Sequence, residues 1–396
     1  MSIYDGLTAG KPAVVVDFGA RYTKFGFAGE FSPRCIIPTQ VICPSTGKLR
    51  WVFDYEDEAD LYALLVTFIH KLYFRHALVS PKDRDVVVIE SLLSPTKFRD
   101  AVAKVFFLHY EVSSLLYLPS HLIVLAGLGL STALVVDVGY SESQVIPVFE
   151  GVPVLNAWQA QPIGSKAVEE RLRKNLKEAY EEIKNAGGDA SRVLKPTDLD
   201  LETLPDYVIE DIKVRTCFVT TYERGKAMAD GIRPPQPPFA DYRLGGYSVL
   251  RIPGEVREAT YEVVFERDNE QSSLANLILE SILKCGIDTR RVLAENLVIV
   301  GGTSMAPGFK SRLITELRRL VKDNVYKSKL YISNFKVHVP LVKENIASWL
   351  GGSIFGATDM LPLRALTKEK YFTLKTVPDW CNLSTNELYL SKLTLS

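Results

Sequence analysis

The stretch Ala13-Val-Val-Val-Asp17-Phe-Gly19-Ala-Arg-Tyr-Thr-Lys24-Phe-Gly26-Phe-Ala-Gly29-Glu30 sets two apolar runs on either side of a polar turn. Valine-rich runs broken by glycine predict two strands joined by a tight turn. That turn offers backbone N–H groups, a carboxylate and Lys24, the parts of a cradle for phosphate and Mg²⁺. Any hairpin can hold an Asp, a Gly and a Lys, so one copy decides little. The pattern returns at Ala133-Leu-Val-Val-Asp137-Val-Gly139-Tyr-Ser-Glu-Ser-Gln-Val145-Ile-Pro-Val-Phe-Glu150-Gly151, with the two aspartates 120 residues apart. Each copy leads into a helix-rich stretch. A repeat at this scale predicts an α/β chain of two similar lobes around a cleft. A third element, Leu297-Val-Ile-Val300-Gly301-Gly302-Thr303-Ser304-Met305, runs a strand into paired glycines at an expected helix start, a geometry suited to nucleotides.

The totals agree with two lobes. The chain has 396 residues, beyond the ~250–300 at which single cores stop growing. Lys+Arg and Asp+Glu are both 47, so the charge balance supports neither nucleic-acid nor direct membrane binding. Five scattered cysteines (35, 43, 217, 285, 381) without a Cys-x-x-Cys argue against a disulfide framework or zinc site and for a reducing compartment. Met1-Ser-Ile-Tyr-Asp lacks the basic and apolar regions of a signal peptide. The apolar segment Leu122–Val136 is shorter than the ~20 residues of a membrane span and reads as helix, turn and buried strand. A soluble cytosolic or nuclear chain is expected.

Between these landmarks the pattern predicts a loose arm over the first ten residues. Gly6-x-x-x-Gly10-Lys11 is one residue short of a phosphate-binding loop and has Pro12 where Ser or Thr is needed. Helices are expected over Asp60–Phe74, from a Ser94 cap with Pro95 first to about His109, and over Ser165–Lys184, Asp206–Cys217 and Ser272–Cys285. Strands are expected at Asp85–Glu90 and Leu115–Tyr117, and a hairpin over Tyr242–Arg251 around Gly245-Gly246. A soft stretch holds Gly187-Gly188 and Pro196. Gly231–Pro238 is proline-rich, and its composition favours a surface linker over an SH3-type ligand. Ala347–Gly356 is a small-residue helix suited to close packing, and Tyr371–Ser396 has little helical period. The mixed charges of Arg171, Arg173, Lys174 and Lys177 with Glu169, Glu170, Glu178, Glu181 and Glu182 suggest a solvated helix face. His70 and His76 are poorly spaced to share a metal, and no hydrolase or metalloprotease motif occurs.

The order strand–Asp-x-Gly, strand–Asp-x-Gly, strand–Gly-Gly-Thr resembles the superfamily of actins, heat-shock ATPases and sugar kinases. Local matches narrow the resemblance to actins: Gly26-Phe-Ala-Gly29, Pro33-Arg34, Phe149-Glu150-Gly151, Asp211-Ile-Lys213, Ile287-Asp-x-Arg290, Gly301-Gly-Thr-Ser-Met305-x-Pro-Gly308 and Trp349-Leu-Gly-Gly-Ser353. They follow actin order over nearly the whole chain. The resemblance implies an actin-like, duplicated ribonuclease H-like fold. The first lobe would be 1–127 with 339–396, and the second 128–338 with an insertion at 163–271. It also implies nucleotide-binding roles for Asp17, Gly19, Lys24, Asp137, Gly139, Lys213, Gly301, Gly302, Thr303, Ser304 and Met305.

The departures matter as much. Ala20 and Arg21 stand where actins have Ser and Gly, and Tyr140 and Ser141 where they have Asp-Gly. The glutamine that helps place the attacking water falls at Ser120, beside His121. The histidine of the second hairpin falls at Gln144, a ribose-side glutamate at Val214 and an adenine-side aromatic at Ala306. Water attack on a γ-phosphate depends on positioning and charge spreading, so these losses argue against hydrolysis and for no catalytic residue. Nucleotide binding stays open between ATP or ADP with Mg²⁺ and none, and Arg21 between a phosphate contact and a block.

Actins also carry, before the Asp60 helix, a small subdomain whose mobile loop inserts into the next filament subunit at the pointed end. Here only 39–56 remains, with the acidic run Glu56-Asp-Glu58. A chain lacking that loop can offer its other face to a filament's pointed end yet receive no further subunit, which makes a cap. Tyr4-Asp-Gly-Leu7, Tyr73-Phe-Arg-His76, Arg84–Ser91 and Asp379-Trp-Cys381 resemble the actin-related pointed-end subunits of dynactin. That resemblance implies partners among the actin-like filament subunits and the other pointed-end subunits, with dynein and cargo reached indirectly. The competing functions are an ATPase or sugar kinase of the same superfamily and a nuclear actin-related scaffold in chromatin remodelling.

Overall fold

A computed structural model describes residues 11–43, 46–185, 204–232, 234–244, 249–267, 272–332 and 334–378. The expectations at Tyr4–Leu7, Gly187-Gly188, Pro196, Gly245-Gly246 and Asp379–Cys381 lie outside these residues, as does the chain beyond 378. Two compact units form, one from Met1–Leu130 with Ile346–Ser396, the other from Ser131–Asn345. The chain returns to the first unit later than expected because 339–345 stays tied to the second. There the Gly301 N–H donates to the Glu344 carbonyl at 3.2 Å, and Lys310 pairs with the Glu344 carboxylate.

The first unit contains β1 (Val14–Phe18), β2 (Tyr22–Phe27), β3 (Cys35–Pro38), β4 (Gln40–Ile42), β5 (Leu49–Trp51), β6 (Asp85–Glu90) and β7 (Ser114–Pro119). Its main sheet runs β3-β2-β1-β6-β7, with Leu366–Thr367 added beyond β7. β1 is antiparallel to β2 and parallel to β6, and β7 continues parallel. Val14, Val16, Val86 and Val88 face one core, while Val15, Val87 and Ile89 face another. Burial on both faces explains the unbroken apolar runs.

The second unit contains β8 (Ala133–Val138), β9 (Ser143–Phe149), β10 (Val152–Pro153), β11 (Gln159–Gln161), β12 (Ala240–Arg243), β13 (Val249–Ile252), β14 (Leu297–Val300) and β15 (Val337–His338). Its sheet runs β10-β9-β8-β14-β15, with β11 also on β9. The sense of each pairing repeats the first unit: β8 is antiparallel to β9 and parallel to β14, and β15 continues parallel. The duplicated ribonuclease H-like order is present in full.

Helices follow the apolar spacing. Glu58–Lys71 buries Leu61, Leu64, Leu65, Phe68 and Ile69, each worth about 1.5–3 kcal/mol. Its cap is the Asp57 carboxylate, which accepts the Asp60 N–H at 2.8 Å. A π-helical turn, Leu72–Ala77, extends it. In the first unit, Ala347–Gly356 packs where only small residues fit: a Cβ on Gly351 would stand 2.1 Å from the Ile123 carbonyl oxygen. Trp349 on this helix is fully buried and donates Nε1–H to the Val15 carbonyl at 3.1 Å.

Three local expectations are corrected. Pro95, in extended conformation, is itself the cap of the helix Thr96–Lys104, and a π-helical turn continues to His109. A proline disfavours helical backbone in the residue before it, which keeps Ser94 out of the helix. Gly301 and Gly302 lead into a single 3₁₀ turn, Thr303–Met305; the helix Phe309–Leu320 starts only after Pro307 and Gly308 (φ 89°). Finally, Lys368–Leu374 is helical, capped by Thr367, with Tyr371 stacked on Phe107 at 4.6 Å.

The charged helix Ser165–Asn185 is less solvated than its composition suggests. Arg171 forks onto Glu266, and Arg173 reaches the Leu204 carbonyl and Asp206. Among the described residues no helix is long and apolar enough to cross a membrane, and Cys35, Cys43, Cys217 and Cys285 are free thiols.

Candidate functional site

In the first unit the β1–β2 register sets Asp17 opposite Lys24, and the ammonium lies 2.9 Å from the carboxylate. Gly19 turns the chain where a Cβ would stand 2.5 Å from the Tyr22 carbonyl oxygen. The Gly19 carbonyl accepts the Thr39 hydroxyl at 2.7 Å, and Thr39 Oγ1 lies 2.9 Å from Thr23 Oγ1 in a buried pair. Arg21 is buried, its guanidinium 4.5 Å from the Trp51 ring centroid. Thr39 and Trp51 belong to the reduced stretch at 39–56, where β4 and β5 form a two-stranded hairpin. The hairpin therefore closes over the first turn. Its far strand is fixed by Arg50, which forks onto both Asp60 oxygens at 3.1 and 2.9 Å and reaches the Asp54 carbonyl. Ser120 opens the helix Ser120–Leu128, and beside it His121 is buried, which pushes its pKa down to about 4.

In the second unit Asp137 stands opposite Gln144. The Gln144 amide donates to Glu142, whose pKa burial raises against that hydrogen bond. The Gly139 N–H is used by the Glu142 carbonyl at 2.9 Å, and the Gly139 carbonyl accepts both the Ser165 N–H and the Thr303 hydroxyl. Gly301 (φ 94°) sits against β8: a Cβ there would lie 2.3 Å from the Val138 carbonyl and 2.6 Å from Asp137 Oδ1. The Thr303 and Ser165 hydroxyls are 2.8 Å apart, and Ser304 closes back on the Gly301 carbonyl. Lys213 is buried, 3.2 Å from Ser165 Oγ and 2.6 Å from Glu169, which also accepts the Tyr140 phenol.

Asp17, Gly19 and Lys24 are thus neighbours in one unit. In the other, Gly139, Thr303 and Lys213 share one network through Ser165, Gly301 sits against Asp137 and accepts from Ser304, and Gly302 and Met305 are exposed. Sequence reasoning missed Ser165, Glu169, Thr39 and Trp51. The i, i+4 spacing of Ser165 and Glu169 places both on one helix face and was the available signal.

In the first unit the Lys24 ammonium lies against the Asp17 carboxylate, and in the second the space beside Gly302 is open. The Lys213 ammonium is enclosed by Glu169 and Ser165 inside its own unit.

A duplicated sheet with an Asp-x-Gly turn in each copy is a family-level signature, and comparison with known proteins agrees. The family model "Actin" matches residues 8–67 and 63–373. Actin-related protein 10 of Dictyostelium discoideum is 26% identical over 434 aligned positions, covering 94% of this chain and 90% of that protein. Repeated strand order, paired aspartate turns and a family match over most of its length make this chain a member of the actin family.

Proposed function

We propose that this actin-related chain is a non-catalytic subunit of dynactin that caps the pointed end of the actin-like filament and binds the other pointed-end subunits. In that role it serves dynein-driven transport along microtubules in the cytoplasm and cytoskeleton. The observation that carries the reading is the closed hairpin at 39–56. Arg50 locks it to Asp60, Thr39 bonds it to Gly19, and Trp51 stacks it on Arg21. A mobile loop that receives the next subunit has no place in that arrangement. Blocking one of two head-to-tail faces stops growth at that end.

Catalysis is not part of the proposal. Ser120 and Gln144 stand where hydrolysing relatives position water, and Gln144 is turned onto Glu142. Within the second unit, Asp137 and the Gly301–Gly302 turn would hold a Mg²⁺-nucleotide, which would supply negative charge rather than a reaction. Purified chain with its partner subunits should slow both addition and loss of subunits at pointed ends of the cognate filament. Unchanged pointed-end kinetics with folded protein would overturn the reading. Phosphate release from Mg-ATP that Asp137→Ala abolishes would favour an ATPase instead. Co-purification with nuclear helicase subunits would favour the chromatin scaffold.

A further inference from the structure

The proline-rich loop of the second unit is not a slack connection. Arg224 donates to the Pro235 carbonyl at 2.8 Å, Arg257 to the Pro238 carbonyl, and Gln236 to Glu255 at 2.7 Å. Gly254 is required beneath it, since a Cβ there would stand 1.7 Å from the Pro237 carbonyl oxygen. Pinned in this way, the loop forms one wall of a cavity of about 470 Å³. The helices Ser165–Asn185 and Gly254–Ala259 supply other walls. That volume lies within the ~300–1,000 Å³ of ligand-sized clefts.

The lining divides by chemistry. Met228, Ile232 and Val256 give an apolar surface, and Ile232 is 62% exposed although it is a large aliphatic side chain. Glu178, Glu182 and Glu255 stand around them, and among the described residues no lysine or arginine lines the cavity. A fourth carboxylate, Glu258, is buried and neutralised by Arg224 and Thr220, so it shapes the wall and adds no free charge. Glu178 has an exposed partner, Lys174 at 3.8 Å, a pair worth little in water.

We propose that this groove docks a short basic–apolar segment of a partner protein. An aliphatic side chain would cover Ile232, Met228 and Val256, and a lysine or arginine would stand among the three glutamates. Charge complementarity selects this occupant: an acidic or purely apolar segment would leave the carboxylates repelled or desolvated without a partner. A pre-formed wall lowers the ordering cost of binding.

The test uses the full chain and three fluorescein-labelled twelve-residue peptides read by anisotropy. One alternates Lys and Leu, one has Glu for every Lys, and one has Ser for every Leu. The Lys/Leu peptide should bind best, with affinity falling as salt rises. Its affinity should drop at least about tenfold (about 1.4 kcal/mol) in Glu178→Gln/Glu182→Gln/Glu255→Gln, whose melting temperature checks its fold. Ile232→Ser should weaken it separately and serves if the triple variant melts early. Equal binding to parent and variants, or equal binding of the Glu/Leu peptide, would overturn the proposal. So would a photo-crosslink from position 232 landing on residues 186–203 of the same chain.

Discussion

The guanidinium of Arg21 lies over the indole of Trp51, 4.5 Å from the ring centroid, so the first phosphate-type turn and the shortened hairpin share one contact. Cation–π contacts of this kind contribute about 0.5–2 kcal/mol. Arg21→Ala and Trp51→Ala should each lower stability by about 1 kcal/mol, and the double variant by less than the sum, measured by urea unfolding. Mg-ATP retention by Arg21→Ala should match the parent, because Arg21 is held by the hairpin. A large gain on Arg21→Gly would instead mean that Arg21 blocks phosphate.

Lys213 and Glu169 form a buried pair at 2.6 Å. Lys213→Met strands a buried carboxylate, and removing one partner of such a pair costs roughly 3–5 kcal/mol. Lys213→Met/Glu169→Gln should recover most of the loss, since no uncompensated charge then remains. A thermodynamic cycle in urea checks it, and equal stability of the two variants would refute the pairing.

Gly351→Ala sets two effects against each other. Alanine gains about 1 kcal/mol in helix propensity. Its Cβ would meet the Ile123 carbonyl at 2.1 Å, a backbone atom that cannot swing aside. Overpacking typically costs about 1–3 kcal/mol, so a net loss of about 1 kcal/mol, and at most about 2, is expected in thermal or urea melts.

Burial pushes the His121 pKa down to about 4, below the usual value near 6.5. Between those values the unfolded chain binds the extra proton and the native chain does not. Stability contributed by neutral His121 is therefore full above about pH 7, falls as pH drops from 6.5 toward 4, and levels below 4. The largest loss is about 3 kcal/mol. His121→Leu should flatten this part of the urea midpoint against pH profile.

The hairpins at Asp17 and Asp137 were legible because their signal is local: unbroken apolar strands, a turn glycine and a repeat. The small-residue helix at Ala347–Gly356 was legible for the same reason. What escaped was set by distant partners. Trp51 lies thirty residues from Arg21, and Glu169 lies forty-four from Lys213, so no window of sequence couples them. The 3₁₀ turn after Gly302 was misread as a helix start because the stop signal, Pro307-Gly308, falls later. The proline-rich loop was read from composition, which carries no information about the arginines that bind its carbonyls.

Trp349 bonds the Val15 carbonyl across 334 residues of chain. On the ribosome, residues 131–345 emerge as one continuous piece and have every strand they need. The N-terminal sheet must wait for the helix that covers one of its faces. At ~5–20 residues per second that delay lasts on the order of ten to forty seconds. Throughout it Val15, Val87 and Ile89 lie open to other nascent chains. The N-terminal part of this protein is therefore the portion most in need of a chaperone's shelter during synthesis.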